Sequence, residues 1–343
     1  MPLSERVPRS RPSRDGPGNA PRRSRSRAPP RPTRRESAAA SIDPRSCIRH
    51  DERTRIIIQG ITGREASAAT KDSLDYGATV VAGVTPGKGG SEVYGVPVYD
   101  TVRAALAAHP ADASVVSVPA AFAKDAALEA LENGIRLVVI LTERIPRRDV
   151  VEVVSRAREL RARVIGPNSL GLISPERTRV GMVGGRAADV RKAYTRGPVG
   201  ILSRSGGMTT ELANLLTLHG IGQSTCVSIG GDPIVGCTYT DLMPLFESDP
   251  ETRVVAIFGE PGGGQEEALA DYVAVRSPRV PIVAFIGGRF ADEMPGVRFG
   301  HAAAIVEGGC GSPREKVAAL RKAGVLVADE FSEIAELVSQ SLR

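Results

Sequence analysis

Between Gly296 and Gly311 the chain reads Gly-Val-Arg-Phe-Gly-His-Ala-Ala-Ala-Ile-Val-Glu-Gly-Gly-Cys-Gly, so one histidine, His301, stands between a glycine and three alanines. Small neighbours let other backbone approach the ring, and the glycines permit the sharp turns that present it. Imidazole can shuttle protons or act as a nucleophile, whereas a lone histidine can equally satisfy a structural hydrogen bond. Two upstream segments favour chemistry. One is an apolar run ending in Gly259-Glu260, which offers a carboxylate; the other is Ser203-Arg-Ser205-Gly206-Gly207, which opens a helix. A helix N-terminus with free N–H groups holds anions. His301, Glu260 and Ser205 are all expected in loops beyond strand C-terminal ends, where one crevice could hold them.

Those loops need a scaffold. Continuous apolar runs, each followed by a glycine turn and a helical pattern, recur from Arg55-Ile-Ile-Ile-Gln59 through Ala78–Val84, Ser114–Val118 and Ile135–Leu141, and again from Val199 through Thr225–Ile229, Val254–Phe258 and Pro281–Ile286. Such alternation predicts α/β architecture with parallel, doubly wound sheets that bind ligands at strand C-terminal ends. Helices are expected at 238–247, 264–276, 313–323 and from Ser332 onward. We place a Rossmann-like domain at 51–195 and a second, flavodoxin-like parallel-sheet domain at 196–343.

In the first domain Gly60-Ile61-Thr62-Gly63 lies between a strand and a helix, the context of a phosphate-binding turn. Where an NAD-binding domain would place an acid after the second strand, the chain has Thr85-Pro-Gly-Lys88-Gly-Gly90. A lysine in a glycine-rich loop suits a ribose that itself carries phosphate, which argues for coenzyme A; a solvated loop lysine is the competing reading. Leu141-Thr142-Glu143 and the turn Gly166-Pro-Asn168-Ser169 should line the same crevice. His219 before Gly220 reads as a helix terminus.

Composition removes other classes. The chain has 343 residues and 41% hydrophobic content, without tryptophan. Its net charge of +6 comes from residues 1–50, with thirteen arginines against four acids; the remainder is slightly acidic, so nucleic-acid binding has no electrostatic support. That Arg/Pro/Ser-rich segment is expected to be a disordered tail: a transit peptide, a basic arm or translated upstream sequence. Four cysteines, Cys47, Cys226, Cys237 and Cys310, form no metal or disulfide pattern, and we expect no metal site. No apolar run approaches the ~18 residues of a membrane span. The expected location is the cytoplasm, or the mitochondrion if the tail is a transit peptide.

The chain from about residue 52 onward resembles the alpha subunit of succinyl-CoA synthetase (succinate-CoA ligase). The resemblance rests on Gln59-Gly-Ile-Thr-Gly63, Gly83-Val-Thr-Pro-Gly-Lys-Gly-Gly90, Gly166-Pro-Asn168, Ser203-Arg-Ser-Gly206, Gly222–Ile234, Gly259-Glu260 and Gly300-His-Ala302. It implies that Gly60, Ile61, Thr62, Gly63 and Lys88 bind CoA, with Leu141, Thr142 and Glu143 along the crevice. It implies that His301 is phosphorylated, that Glu260 orients it, that Ser205, Gly206 and Gly207 hold the phosphoryl oxygens, and that Asn168 and Thr210 face the substrate. A beta subunit of ATP-grasp fold, binding Mg²⁺ with ATP or GTP, is implied as partner in an alpha-beta or alpha2-beta2 assembly. The family's usual residues are replaced at Ser169, Leu170, Arg144 and Thr210, so malate or another acid could replace succinate. A non-catalytic CoA or acyl-CoA sensor is the rival reading.

Overall fold

The computed structural model describes residues 50–289, 301 and 311–343. All but the last residue of the expected tail, Cys47, Cys310 and the residues flanking His301 lie outside the described residues.

The first sheet is built from β1 (Arg55–Gln59), β2 (Thr79–Val84), β3 (Glu92–Val93), β4 (Val96–Tyr99), β5 (Ala113–Val116), β6 (Leu137–Ile140) and β7 (Arg163–Ile165), ordered β3-β4-β2-β1-β5-β6-β7. All its pairings are parallel except the short β3–β4 hairpin. Helices α1 (Arg64–Tyr76), α2 (Val102–Ala108), α3 (Ala120–Glu132) and α4 (Arg147–Glu159) connect the strands. Strands covered on both faces need apolar residues throughout, and β5 and β6 are buried at every position. The chain leaves β1 toward β2 on one side and later returns as β5 on the other. A crevice therefore opens at the C-terminal end of β1.

The second sheet runs β14-β13-β12-β10-β11-β8-β9. Its strands are β8 (Gly171–Ser174), β9 (Thr178–Gly181), β10 (Arg196–Ser203), β11 (Gln223–Ser228), β12 (Val254–Gly259), β13 (Ile282–Ile286) and β14 (Leu326–Val327). It is not wholly parallel: β8 runs antiparallel to both β11 and β9. The sheet also takes these two strands from residues ahead of 196. The switch point falls at β10, flanked by β12 and β11.

Helices α5 (Ala187–Ala193), α6 (Gly206–Leu218), α7 (Tyr239–Ser248), α8 (Gln265–Arg276), α9 (Pro313–Lys322) and α10 (Ile334–Ser341) complete this part. Their ends follow local chemistry. Thr238 and Asp241 form a capping box on α7, and the Ser312 hydroxyl accepts from Glu315 N–H with Pro313 in the first turn of α9. At the end of α6 His219 Nδ1 meets Leu215 O at 2.9 Å and Gly220 takes φ +72°, as expected of a helix terminus.

The two sheets meet backbone to backbone. Gly166 N–H donates to Ile229 O at 3.0 Å, and Gly236 N–H to Gly166 O at 2.9 Å. A side chain on Gly236 would overlap Val164 O at 2.2 Å, so only glycine admits this approach. One apolar cluster runs through both layers, from Ile56 and Val139 to Val227 and Ile257. Burying each such side chain contributes about 1.5–3 kcal/mol relative to exposure. Cys226 and Cys237 belong to these interiors, where burial pushes the Cys237 thiol up to about 12 and raises that of Cys226 as well. Both are packing residues.

Candidate active site

Residues beyond the C-terminal ends of β10, β11 and β12 meet at His301. Its Nδ1 lies 2.7 Å from Glu260 Oε2, the carboxylate that follows β12. The ring is about a quarter exposed and the carboxylate is nearly buried. A carboxylate only accepts, so this contact places the proton on Nδ1 and leaves the Nε2 lone pair free. The Glu260 bond raises the imidazole's proton affinity above its ordinary value; burial and Arg204 oppose it, and Asp232 adds to it. On the other side, an added Cβ at Gly231 would fall 2.4 Å from His301 Cγ and Cδ2. That glycine backbone is therefore packed against the ring.

The turn bearing Glu260 sits on a buried charged network. Arg204 Nη1 donates to Gly262 O at 2.9 Å and to Glu260 O at 3.4 Å, and it lies 3.6 Å from Glu266 Oε1. Glu260 N–H in turn donates to Glu266 Oε1 at 3.3 Å. From α9, Lys316 Nζ contacts Glu266 Oε2 and reaches Glu267 Oε2 at 2.9 Å and Gly263 O at 3.0 Å. Arg204, Glu266 and Lys316 are 0–1% exposed. Charges removed from water to this extent persist only when paired and hydrogen-bonded. They fix the main chain on both sides of Glu260. Arg204 also directly precedes Ser205, whose hydroxyl accepts from Met208 N–H at the start of α6. One buried guanidinium thus ties the start of α6 to the turn carrying the carboxylate.

Sequence reasoning gave no role to Arg204, Glu266, Lys316 or Asp232. Lys316 was recoverable in part as one of six lysines in an arginine-rich chain. Asp232 is buried and accepts from Asn168 Nδ2 at 3.1 Å through Oδ1. Its proton affinity is raised, first by burial and then by Glu143, against the opposing effects of the Asn168 bond and His301. Asn168, at φ +53°, donates its N–H to Thr142 O at 2.9 Å, and its carbonyl accepts from Gly231 N–H at 3.1 Å. Asn168 therefore connects the crevice of the first sheet to the histidine.

The remaining expected residues fall into three groups. Gly60 takes φ +83°, and an added Cβ would lie 2.2 Å from Ser117 O. Gly63 N–H closes the turn onto Gly60 O, leaving the first-turn N–H groups of α1 available to an anion. Thr62 Oγ1 meets Thr85 Oγ1 at 3.3 Å, which joins this turn to the Lys88 loop. Lys88 is exposed and has no acidic partner among the described residues. Leu141 and Thr142 are half-buried, and the Thr142 hydroxyl donates to Val118 O. These groups fit a phosphorylated ligand lying along the first crevice.

Two residues differ from expectation in what their side chains meet. Ile61 is fully buried, its side chain lying where a Cβ on Gly83 would have to be; only its backbone can face a ligand. Thr210 Oγ1 bonds the hydroxyl of buried Tyr194 at 2.9 Å, on the side of α6 that packs on the interior. Its contacts are not those of the His301 cluster. Arg144 takes φ +60° beside Glu143, a left-handed conformation that residues other than glycine seldom adopt. No cluster of three or more metal-ligating side chains occurs among the described residues.

Residues 51–144 match the CoA binding domain and residues 202–326 the CoA-ligase domain, which together define a CoA-binding acid-thiol ligase. The ADP-forming succinate-CoA ligase subunit alpha 1 of Archaeoglobus fulgidus is 48% identical over 292 residues, covering 85% of this chain and 97% of that relative. The ADP-forming sulfoacetate-CoA ligase subunit SqwL of an Acholeplasma species is 41% identical over 84% of this chain and 96% of its own length. Among solved structures, ATP citrate lyase from Methanothrix soehngenii, in complex with citrate and coenzyme A, superimposes with a TM-score of 0.80 at 28% identity; the match covers 85% of this chain and about half, 50%, of that one. The chain belongs to the succinate-CoA ligase alpha-subunit family.

Proposed function

We propose that this chain is the alpha subunit of an NDP-forming acid-CoA ligase and that His301 carries its phosphoryl group. The observation that supports this best is the 2.7 Å contact of His301 Nδ1 with Glu260. A proton held at Nδ1 leaves Nε2 as the nucleophile toward the terminal phosphorus of an NTP, and Glu260 balances the charge that builds on the ring. The N–H groups at Gly206 and Gly207 opening α6 stabilise the transferred oxygens. The phosphoryl group then passes to a carboxylate oxygen of the acid. CoA sulfur displaces phosphate from that acyl phosphate, giving acyl-CoA. Nucleotide and Mg²⁺ belong to a partner beta subunit of ATP-grasp fold, in an alpha-beta or alpha2-beta2 assembly.

CoA lies along the first crevice, with phosphates at Gly60–Gly63 and Lys88, and its arm passing Leu141–Glu143 toward Asn168. We assign the first domain to 51–165, ending at β7, and the second to 171–343 rather than 196–343, because β8 and β9 pair within the second sheet. The acid is a small carboxylate of the succinate or malate class. A relative named as a sulfoacetate-CoA ligase subunit supports variation of the acid within the family. The test is acyl-CoA formation by the purified chain with its candidate beta partner, across succinate, malate, sulfoacetate and acetate, with ATP or GTP. Thioester formation with one acid supports the ligase; CoA binding with no thioester from any acid indicates the sensor.

A further inference from the structure

We propose that Asp232 accepts the thiol proton when CoA attacks the acyl phosphate. This goes beyond the reading of His301 as phosphoryl carrier and rests on it. Asp232 follows Gly231, the glycine packed against the imidazole, and is held from the first crevice by Asn168 Nδ2 at 3.1 Å. Asn168 is itself anchored to Thr142 O, where the CoA arm is expected to arrive. Only Oδ1 of Asp232 is engaged; Oδ2 makes no hydrogen bond among the described residues.

The neighbouring acids are committed elsewhere. Glu260 holds Nδ1, Glu266 and Glu267 hold Lys316, and exposed Glu143 pairs with Arg144 at 3.4 Å. Among the described residues, Asp232 is thus the acid at the meeting point of crevice and histidine that bonds neither a cation nor the imidazole, and its Oδ2 is open. Burial and the facing Glu143 raise its proton affinity, while Asn168 and His301 restrain that rise, so it is a stronger base than a surface carboxylate.

In the step, the S–H bond breaks and its proton goes to Asp232. The sulfur forms the C–S bond, the acyl C–O bond to phosphate breaks, and inorganic phosphate leaves with the electron pair. The proton then passes to solvent. No oxidant or further reactant is needed.

The test separates the half-reactions of the complete enzyme, reconstituted with its beta partner. Phosphoryl label on the chain, acyl phosphate trapped by hydroxylamine without CoA, and thioester formed with CoA are measured for wild type and Asp232→Asn, with CoA affinity as the check on folding. The variant should still take up label and form hydroxamate, slowed by no more than about threefold through the lost charge beside His301, but make thioester at least ~10²-fold more slowly. Raising the pH toward ionisation of the thiol should recover part of that rate, and so should Asp232→Glu. Wild-type thioester formation by Asp232→Asn overturns the proposal, as does loss of its label. If wild type itself takes no label, the phosphohistidine reading fails, a result distinguishable because it appears without any mutation.

Discussion

His301 Nδ1 and Glu260 Oε2 are 2.7 Å apart although 41 residues separate them in the chain. Glu260 directly follows a central strand of the second sheet, and its turn is clamped by buried charges that hold the carboxylate against the histidine. The ring orientation follows from that contact and from the flat glycine wall at Gly231.

Glu260→Gln should slow phosphorylation of the chain by about 10²-fold, because the amide neither fixes the Nδ1 tautomer as firmly nor balances the charge on the ring. The imidazole titration, read by NMR, should move down toward its ordinary value. The sign for stability follows. Since the folded-state proton affinity is raised, the contribution of this pair is complete below the unfolded value of 6.5 and is lost as pH rises through the higher folded value. Glu260→Gln should remove that segment of the stability profile, and an unchanged titration contradicts the assignment.

Gly231→Ala places a methyl where the ring now lies, 2.4 Å from Cγ and Cδ2. It should displace His301 and abolish labelling while CoA affinity stays within about twofold, because the turn at Gly60–Gly63 and the Lys88 loop, proposed to hold the CoA phosphates, do not bond Gly231. Retained labelling shows that the loop yields.

Within the charged network, Glu266→Gln should destabilise more than Lys316→Met. Glu266 faces two buried cations, Arg204 and Lys316, whereas after loss of Lys316 it keeps Arg204. Stranding a buried charge costs about 3–5 kcal/mol, so Lys316→Met should fall at the lower end and Glu266→Gln at the upper end. Urea midpoints give the order, and the reverse order contradicts the pairing.

Lys88→Ala should weaken CoA binding by about 1–3 kcal/mol and reduce its salt dependence, since exposed Lys88 has no acidic partner to release among the described residues. Gly60→Ala should weaken it further, because the new Cβ meets Ser117 O at 2.2 Å and the turn must open. Calorimetric titration measures both. Unchanged affinity for Lys88→Ala makes it a solvated loop residue.

The doubly buried strands were legible because each is a continuous apolar run: Arg55–Gln59 coincides with its expected bounds, and the expected helices at 238–247 and 264–276 formed within a residue of them. β8 and β9 were not, since Gly-Leu-Ile-Ser and Thr-Arg-Val-Gly are short and interrupted by glycine and by Arg179. That arginine is buried by bonding to Val183 and Gly185 carbonyls, a state no hydropathy pattern reveals. Of the site, His301 and Glu260 stood out through their small neighbours. The Lys316–Glu266 pair spans 50 residues, and two elements far apart in sequence leave no local periodicity to read. Asp232 was masked by its Gly-Gly-Asp-Pro setting, which reads as a turn.

The measurement closest to the central claim is transfer of a labelled γ-phosphoryl group from ATP or GTP, with Mg²⁺ and the beta partner, to wild type and to His301→Ala. An acid-labile, base-stable label on wild type, absent from a His301→Ala protein that still binds CoA, is the expected result. Label that persists in His301→Ala, or wild type that takes none while forming thioester, contradicts the account.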